Sequence, residues 1–282
     1  EIASCLVGSE MCIRDRDGWT YGQKANTPGI TVRSGGSDIT ALYDASGFTC
    51  TYYTDAGCTD MTTAANGAAT NGGVPKNAGT YYVKAVVPEN GNYAGAEVEA
   101  SFKIAPLPVN LTWSKTDLIY TGSEQSVLAT VANALEGDSF AIAYEGNTQT
   151  EAGDSYTARV TDLGNDNYTL TGATGVSQNW SISYLQTSAA AQVSGTKGNN
   201  DWYISPVKLV PDSGYQISTD KTDWKDSLGD YTDQGEQSAG YYLKETATGA
   251  VTDKKTVTFK IDTGMPSGSI RIGENTFDSS LK

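Results

Sequence analysis

Apolar and polar positions alternate in Thr80-Tyr-Tyr-Val-Lys-Ala-Val86, so that Tyr81, Val83 and Ala85 fall on one side of an extended chain and Tyr82, Lys84 and Val86 on the other. Phe102-Lys103-Ile104 and Phe259-Lys260-Ile261 follow the same rule, with the lysine turned to water, and Trp180-Ser181-Ile182 repeats it with a serine. No stretch keeps its apolar residues at helical spacing. Gly, Thr, Asn and Asp clusters instead punctuate short runs of Tyr, Val and Ile, which predicts an all-β chain of many short strands joined by turns.

The three aromatic-x-Ile strands recur at spacings of 78 and 79 residues, counted from Phe102 to Trp180 to Phe259. An Ala-Gly step leads into a Tyr-bearing strand upstream of each: Ala78-Gly79 before Tyr81, Ala152-Gly153 before Tyr156, and Ala239-Gly240 before Tyr241. Recurrence at a fixed period marks one structural unit copied along the chain. After Ile104 comes Ala-Pro-Leu-Pro, whose two prolines cannot donate to a ladder and stiffen a junction. The expectation is a linear array of small β-sandwiches at residues 17–105, 106–185 and 186–266. Residues 267–282, alternating at Ile270 and Ile272, read as the first strand of a truncated fourth unit.

Residues 1–16 break this texture. They carry Cys5 and Cys12, one of the three methionines and no hydrophobic period, and the composition changes at about Arg16. Leu6-Val7 is too short for the apolar region of a secretory signal and is crowded by Glu10, Arg14 and Asp15. The segment is expected to be a non-native, disordered leader, and the chain to be a fragment of something longer. No run of 18 or more apolar residues occurs, so no membrane-spanning segment is predicted in this fragment.

Charge and composition narrow the chemistry. Lys+Arg number 19 against 33 Asp+Glu, a net charge of −14 that repels nucleic acid and anionic lipid, whose binding rests on Lys and Arg. The chain has no histidine, which excludes His-based triads, the HExxH zinc helix and an imidazole base. Its carboxylates sit in turn-like clusters such as Asp162-Leu-Gly-Asn-Asp166 and Asp220-Lys-Thr-Asp223, where short polar side chains stabilise turns. No catalytic residue, cofactor site or metal site is assigned.

The run from Trp19-Thr-Tyr-Gly22 through Ala78-Gly-Thr-Tyr-Tyr-Val-Lys84 to Phe102-Lys-Ile104 resembles the MBG-type and related bacterial Ig-like repeats of large Gram-positive surface proteins. Trp113 with Ile119-Tyr-Thr-Gly122 through Ala152-Gly153 to Trp180-Ser-Ile182 resembles a second such repeat. Trp202-Tyr203, Gly214-Tyr-Gln-Ile-Ser218, Trp224 and Val257-Thr-Phe-Lys-Ile-Asp262 are similar to a different Ig-like unit of the same stalks. The resemblance covers residues 17–282 and implies extracellular repeats on a bacterial cell surface that space or present other modules. LVGSEMCIRDR, at residues 6–16, resembles the in-frame translation of a transposon-based sequencing adaptor at the end of an assembled metagenomic gene.

Several residues invite sharper readings. A hairpin turning near Thr54-Asp55 would set Cys50 opposite Cys58, close enough for a disulfide, with two free thiols as the alternative. Asp162, Asn165, Asp166 and Asn167, or Asp220, Asp223 and Asp226, could gather oxygens for Ca²⁺ but lack the spacing of a calcium loop, which favours plain turns. In Tyr52-Tyr53, Trp202-Tyr203 and Tyr241-Tyr242, strand geometry turns one ring inward and leaves the other for a sugar face. Lys84, Lys103 and Lys260 alternate with apolar neighbours and are placed outward, away from any buried isopeptide cross-link. The expected function is a non-enzymatic, monomeric stalk or adhesin segment; the alternative is a module for host or cell-wall glycans or glycoproteins in one of the units.

Overall fold

The computed structural model describes residues 9–14, 17–43, 47–90, 93–265, 269–272 and 275–278. These are almost wholly β: 25 strands with short 3-10 turns such as Ala64–Asn66. Among the described residues no helix is long and apolar enough to cross a membrane.

The first copy contains β1 (Ser9–Arg14), β2 (Trp19–Thr20), β3 (Gly29–Ser34), β4 (Ser37–Asp38), β5 (Thr49–Tyr53), β6 (Gly79–Val87) and β7 (Ala96–Ala105). The second contains β8 (Leu107–Trp113), β9 (Asp117–Ile119), β10 (Gln125–Ser126), β11 (Ala129–Val131), β12 (Ala143–Glu145), β13 (Thr148–Gln149), β14 (Gly153–Asp162), β15 (Tyr168–Thr174) and β16 (Ser177–Ser183). The third contains β17 (Ala191–Ser194), β18 (Trp202–Tyr203), β19 (Val207–Pro211), β20 (Tyr215–Ser218), β21 (Leu228–Tyr231), β22 (Gly235–Glu245) and β23 (Lys255–Ile261). The tail, expected to be a single strand, forms an antiparallel hairpin of β24 (Ser269–Ile272) and β25 (Asn275–Asp278).

One four-stranded sheet recurs in all three copies. Its order is β2-β7-β6-β5 in the first, β9-β16-β14-β12 in the second and β18-β23-β22-β20 in the third. The closing aromatic-x-Ile strand is second in each, and a short strand from the start of the copy lies parallel beside it: Trp19 opposite Ile104, Leu118 opposite Ile182, Tyr203 opposite Ile261. Phe102, Trp180 and Phe259 are buried, as are Ile104, Ile182 and Ile261, while Lys103 is exposed. Strand β6 alternates as its sequence predicts, with Tyr81, Val83 and Ala85 inward. Lys84 lies on the outward face and pairs with Glu97 at 2.9 Å and Glu99 at 3.4 Å.

A second sheet completes the core of the first and third copies. β1-β3-β4 contributes Met11, Ile13 and Val32 to the cluster that holds Tyr52, Tyr81, Val83 and Phe102. β17-β19-β21 contributes Ala191, Leu209 and Leu228 to the one holding Tyr241, Leu243 and Phe259. The middle copy has its own cluster around Val109, Leu111, Val131, Val160 and Tyr168. By contacts the chain forms two compact units instead of three. The first is Glu1–Ser114, Leu128–Glu145 and Arg159–Gln178; the second is Lys115–Val127, Gly146–Ala158 and Asn179–Lys282. The middle copy is shared between them because its residues bond with the first copy in one unit and with the third in the other.

Two expectations need correction. Ser9–Arg14, taken as part of a disordered leader, forms β1 in full antiparallel register with β3, Met11 opposite Val32 and Ile13 opposite Ile30. Met11 and Ile13 are each 7% exposed, so this strand supplies apolar cover that the first core otherwise lacks. Residues 1–8 and 15–16 lie outside the described residues. The Ala239-Gly240 step does not lead into a strand either: Ala239 is buried opposite Val257, in the middle of β22. The equivalent of Gly79, which faces Ile104, is Gly235, which faces Ile261.

That register exposes a recurring corner. The Tyr81 hydroxyl donates to the Asn77 carbonyl, four residues back, at 3.1 Å, and its ring lies over Gly79, where a Cβ would stand 3.2 Å from it. Tyr156 donates to the Glu151 carbonyl at 2.9 Å over Gly153 in the same way. In the third copy Gln237 takes the place, its amide donating to the Asp233 carbonyl, again four residues back, at 3.2 Å.

Ile13→Ala should destabilise the chain by about 2 kcal/mol or more, the usual cost of emptying a core site, read as a lower denaturant midpoint. An unchanged midpoint would mean that Ser9–Arg14 adds nothing to the first core.

Candidate functional site

Two side-chain networks link residues of one copy to residues of the next. In the first unit, Tyr21 of the first copy and Tyr168 of the second share one carboxylate. The Tyr168 hydroxyl donates to Asp138 Oδ2 at 2.6 Å, and the Tyr21 hydroxyl donates to the same oxygen at 3.0 Å and to Oδ1 at 3.1 Å. Tyr168 also accepts from the Leu135 amide at 2.9 Å, and its ring meets Tyr21 and Phe140 edge-on at 5.4 and 4.8 Å. The Ala78 amide donates to Asn167 Oδ1 at 2.8 Å, so Asn167, considered as a calcium ligand, holds a backbone group instead. Burial first, and the hydrogen bond to Asp138 second, push the Tyr168 phenol up to about 12 and raise that of Tyr21.

In the second unit a lysine fills a cage of tyrosines. Lys221 Nζ stands 5.1 Å from the ring centre of Tyr120, 5.6 Å from Tyr184 and 5.5 Å from Tyr242, and donates to the Tyr184 hydroxyl at 3.3 Å. Tyr120 and Tyr184 belong to the second copy; Lys221 and Tyr242 belong to the third. Burial works against the charge on Lys221, but the Tyr184 hydrogen bond and the surrounding phenol oxygens outweigh it, so its pKa lies above that of an ordinary lysine. The backbone joins in, with Val251 N–H donating to Tyr120 O and Leu185 N–H to Val251 O, each at 2.8 Å. Lys221 itself sits at φ +67°, a left-handed turn held by Ser218 and Asp220.

The residues singled out in the sequence take the following places. Cys50 lies on β5 opposite Ala85, whereas Tyr53 bridges to Met61, so Cys58 falls in the intervening loop and not across from Cys50. Asp55 sets that loop by accepting from the amides of Gly57, Thr59 and Asp60, and both cysteines are free thiols in this structure. Burial raises both thiol pKa values, which keeps them protonated and unreactive near neutral pH.

Asp162 accepts from the Gly164 amide at 2.6 Å, and Asn165 accepts from the Asn167 amide at 3.1 Å. Asp220 accepts from the amides of Thr222 and Asp223, which hold its carboxyl well below the usual range. These are turn-forming bonds, and among the described residues no three His, Cys, Asp or Glu side chains gather to hold a metal ion. In the aromatic pairs Tyr52, Tyr203 and Tyr241 are buried, and Tyr53, Trp202 and Tyr242 are half-buried, as alternation requires. Lysines cover two of the outer rings: Lys260 lies 5.8 Å from the Trp202 centre, and Lys221 covers Tyr242. Nothing in the sequence pattern singled out Asp138 or Lys221, whose partners lie 117 and 37 residues away.

Tyr168→Phe should cost about 1 kcal/mol at neutral pH by leaving the Leu135 amide and Asp138 short of a partner. The raised phenol adds a pH signature. Its contribution is whole below the unfolded value near 10 and is lost as pH rises through about 12, so the gap between wild type and Tyr168→Phe should close in alkaline denaturation curves. Lys221→Met, which keeps the stem and removes the charge, should lower stability by about 1 kcal/mol in thermal melts, with less loss in Tyr242→Leu, where one wall of the cage is already gone.

No protein-family model matches the chain, and no curated protein matches it.

Proposed function

We propose that the chain is a non-enzymatic segment of a bacterial cell-surface protein: three Ig-like β-sandwiches in tandem that space or present other modules as a stalk or adhesin. The observation that carries this reading is the strand order that recurs in all three copies, with a short early strand parallel to the closing one. The back-bonded tyrosine at the head of β6 and β14 adds to the likeness, since Ig-type sandwiches use a tyrosine in that role. The joints fit the same purpose, because a carboxylate shared by two phenols and a lysine caged by three rings each fix an angle between neighbours.

Such a segment works outside the cell and as a monomer. Its acidic surface, 33 Asp+Glu against 19 Lys+Arg, keeps it from nucleic acid. Small-angle scattering tests the reading. A compact domain of 282 residues has a radius of gyration of about 19 Å, and a tandem array should exceed that clearly at all protein concentrations. A value near the compact figure, or one that rises with concentration, would overturn it.

A further inference from the structure

The third copy departs from the other two at the corner residue, and a cleft lies there. In the first copy the Tyr81 ring stands 5.9 Å from Phe102, with Trp19 stacked on the same phenylalanine at 5.1 Å. A hollow of about 20 Å³ lies beside Trp19 and Phe102, and a cleft of about 550 Å³ lined by Trp19, Tyr21, Asn77 and Leu135 lies by the same corner. In the second copy Tyr156 covers Trp180 at 5.2 Å. In the third copy Gln237 faces Phe259 in the register that Tyr81 takes with Phe102. Its amide makes the corner's back-bond but brings no ring, and a cleft of about 440 Å³ lies over Gln237, Phe259 and Tyr203.

The rim of this cleft is polar and charge-balanced. Lys260 pairs with Glu236 at 2.8 Å, and Lys197 pairs with Asp201 at 3.4 Å while lying 5.6 Å from the Tyr203 ring centre. Asn200 and Asp201 hold φ of +56° and +60°, and the Lys197–Trp202 loop is closed by Gly198 N–H donating to Trp202 O at 2.8 Å. A charged ligand would have to break an ion pair to be held. A neutral ligand with many hydroxyls finds donors in Lys197 and Lys260, acceptors in Asp201 and Glu236, and ring edges below, in a volume within the range of small-molecule sites.

We infer that the third copy carries a saccharide-binding cleft for neutral sugars, lined by Gln237 where the other copies place a tyrosine ring. The full chain is titrated with N,N′-diacetylchitobiose and with lactose, and with N-acetylneuraminic acid and glucosamine as charged controls, while backbone amide shifts are followed by NMR. At least one neutral disaccharide should shift Lys197, Gln237 and Thr258 together. Gln237→Tyr, which restores the ring of the other copies and can keep the back-bond to Asp233, should weaken binding at least about tenfold without lowering Tm. Should that variant melt earlier, Thr258→Trp, at an exposed position on the same wall, replaces it as the test. Absence of shifts with both neutral sugars, shifts centred elsewhere, binding of the charged controls alone, or full affinity in the ring-filled variant would each overturn the inference. The scattering test of the tandem array is untouched by any of these outcomes.

Discussion

Each copy is held by a closing strand that hydrogen-bonds along both edges. β7, β16 and β23 each have a longer strand on one side and a short strand from the start of the same copy on the other. Backbone donors and acceptors on an inner strand have no water to fall back on, so both neighbours must be present for the strand to bury its face. The two residues it turns inward, an aromatic and an isoleucine, then sit between two ladders, and in the first and third copies they pack against the second sheet. Ile104, Ile182 and Ile261 are among the most completely enclosed side chains. Because the parallel partner comes from the beginning of the copy, the same pairing that buries the isoleucine also joins the two ends of the unit.

This double pairing explains why Ser9–Arg14 is a strand despite its composition. β3 offers Val32 inward and an open ladder, and a segment with apolar side chains two apart can fill it. Met11 and Ile13 meet that demand. β8 and β17 begin the other copies in a similar way, pairing antiparallel with β11 and β19. The first copy therefore starts before Trp19 and not at the change of texture near Arg16. A break in composition marks where the residue supply changes, whereas the boundary of a folded unit is set by which ladders need partners.

Much of the architecture could be read in the sequence, and the part that could not has a physical cause. The aromatic-x-Ile strands, the inward face of β6 and the outward Lys84 follow from a period of two, which any sheet imposes. The third copy misled because Ala239-Gly240-Tyr241-Tyr242 has the texture of a strand start, while the positions are fixed by Gly235 facing Ile261. The cysteines misled because a turn at Thr54-Asp55 is only one way to reverse the chain, and Asp55 binding three amides stabilises a wider loop. The joints could not be seen at all. Asp138 and Lys221 are ordinary loop residues in one dimension and become specific only when tyrosines from another copy surround them.

The corner position shows how one repeated frame accommodates different side chains. The back-bond at the head of the strand needs only a donor on a side chain long enough to reach a carbonyl four or five residues upstream, a requirement that tyrosine and glutamine both meet. What differs is the remainder of the side chain. A phenol ring fills the space over the closing strand's aromatic and adds an aromatic contact, whereas an amide satisfies the backbone and leaves that space open. The turn is therefore preserved while the side chain beside the closing strand's aromatic changes, since the hydrogen bond that shapes the backbone and the ring that fills the core are separable parts of one residue.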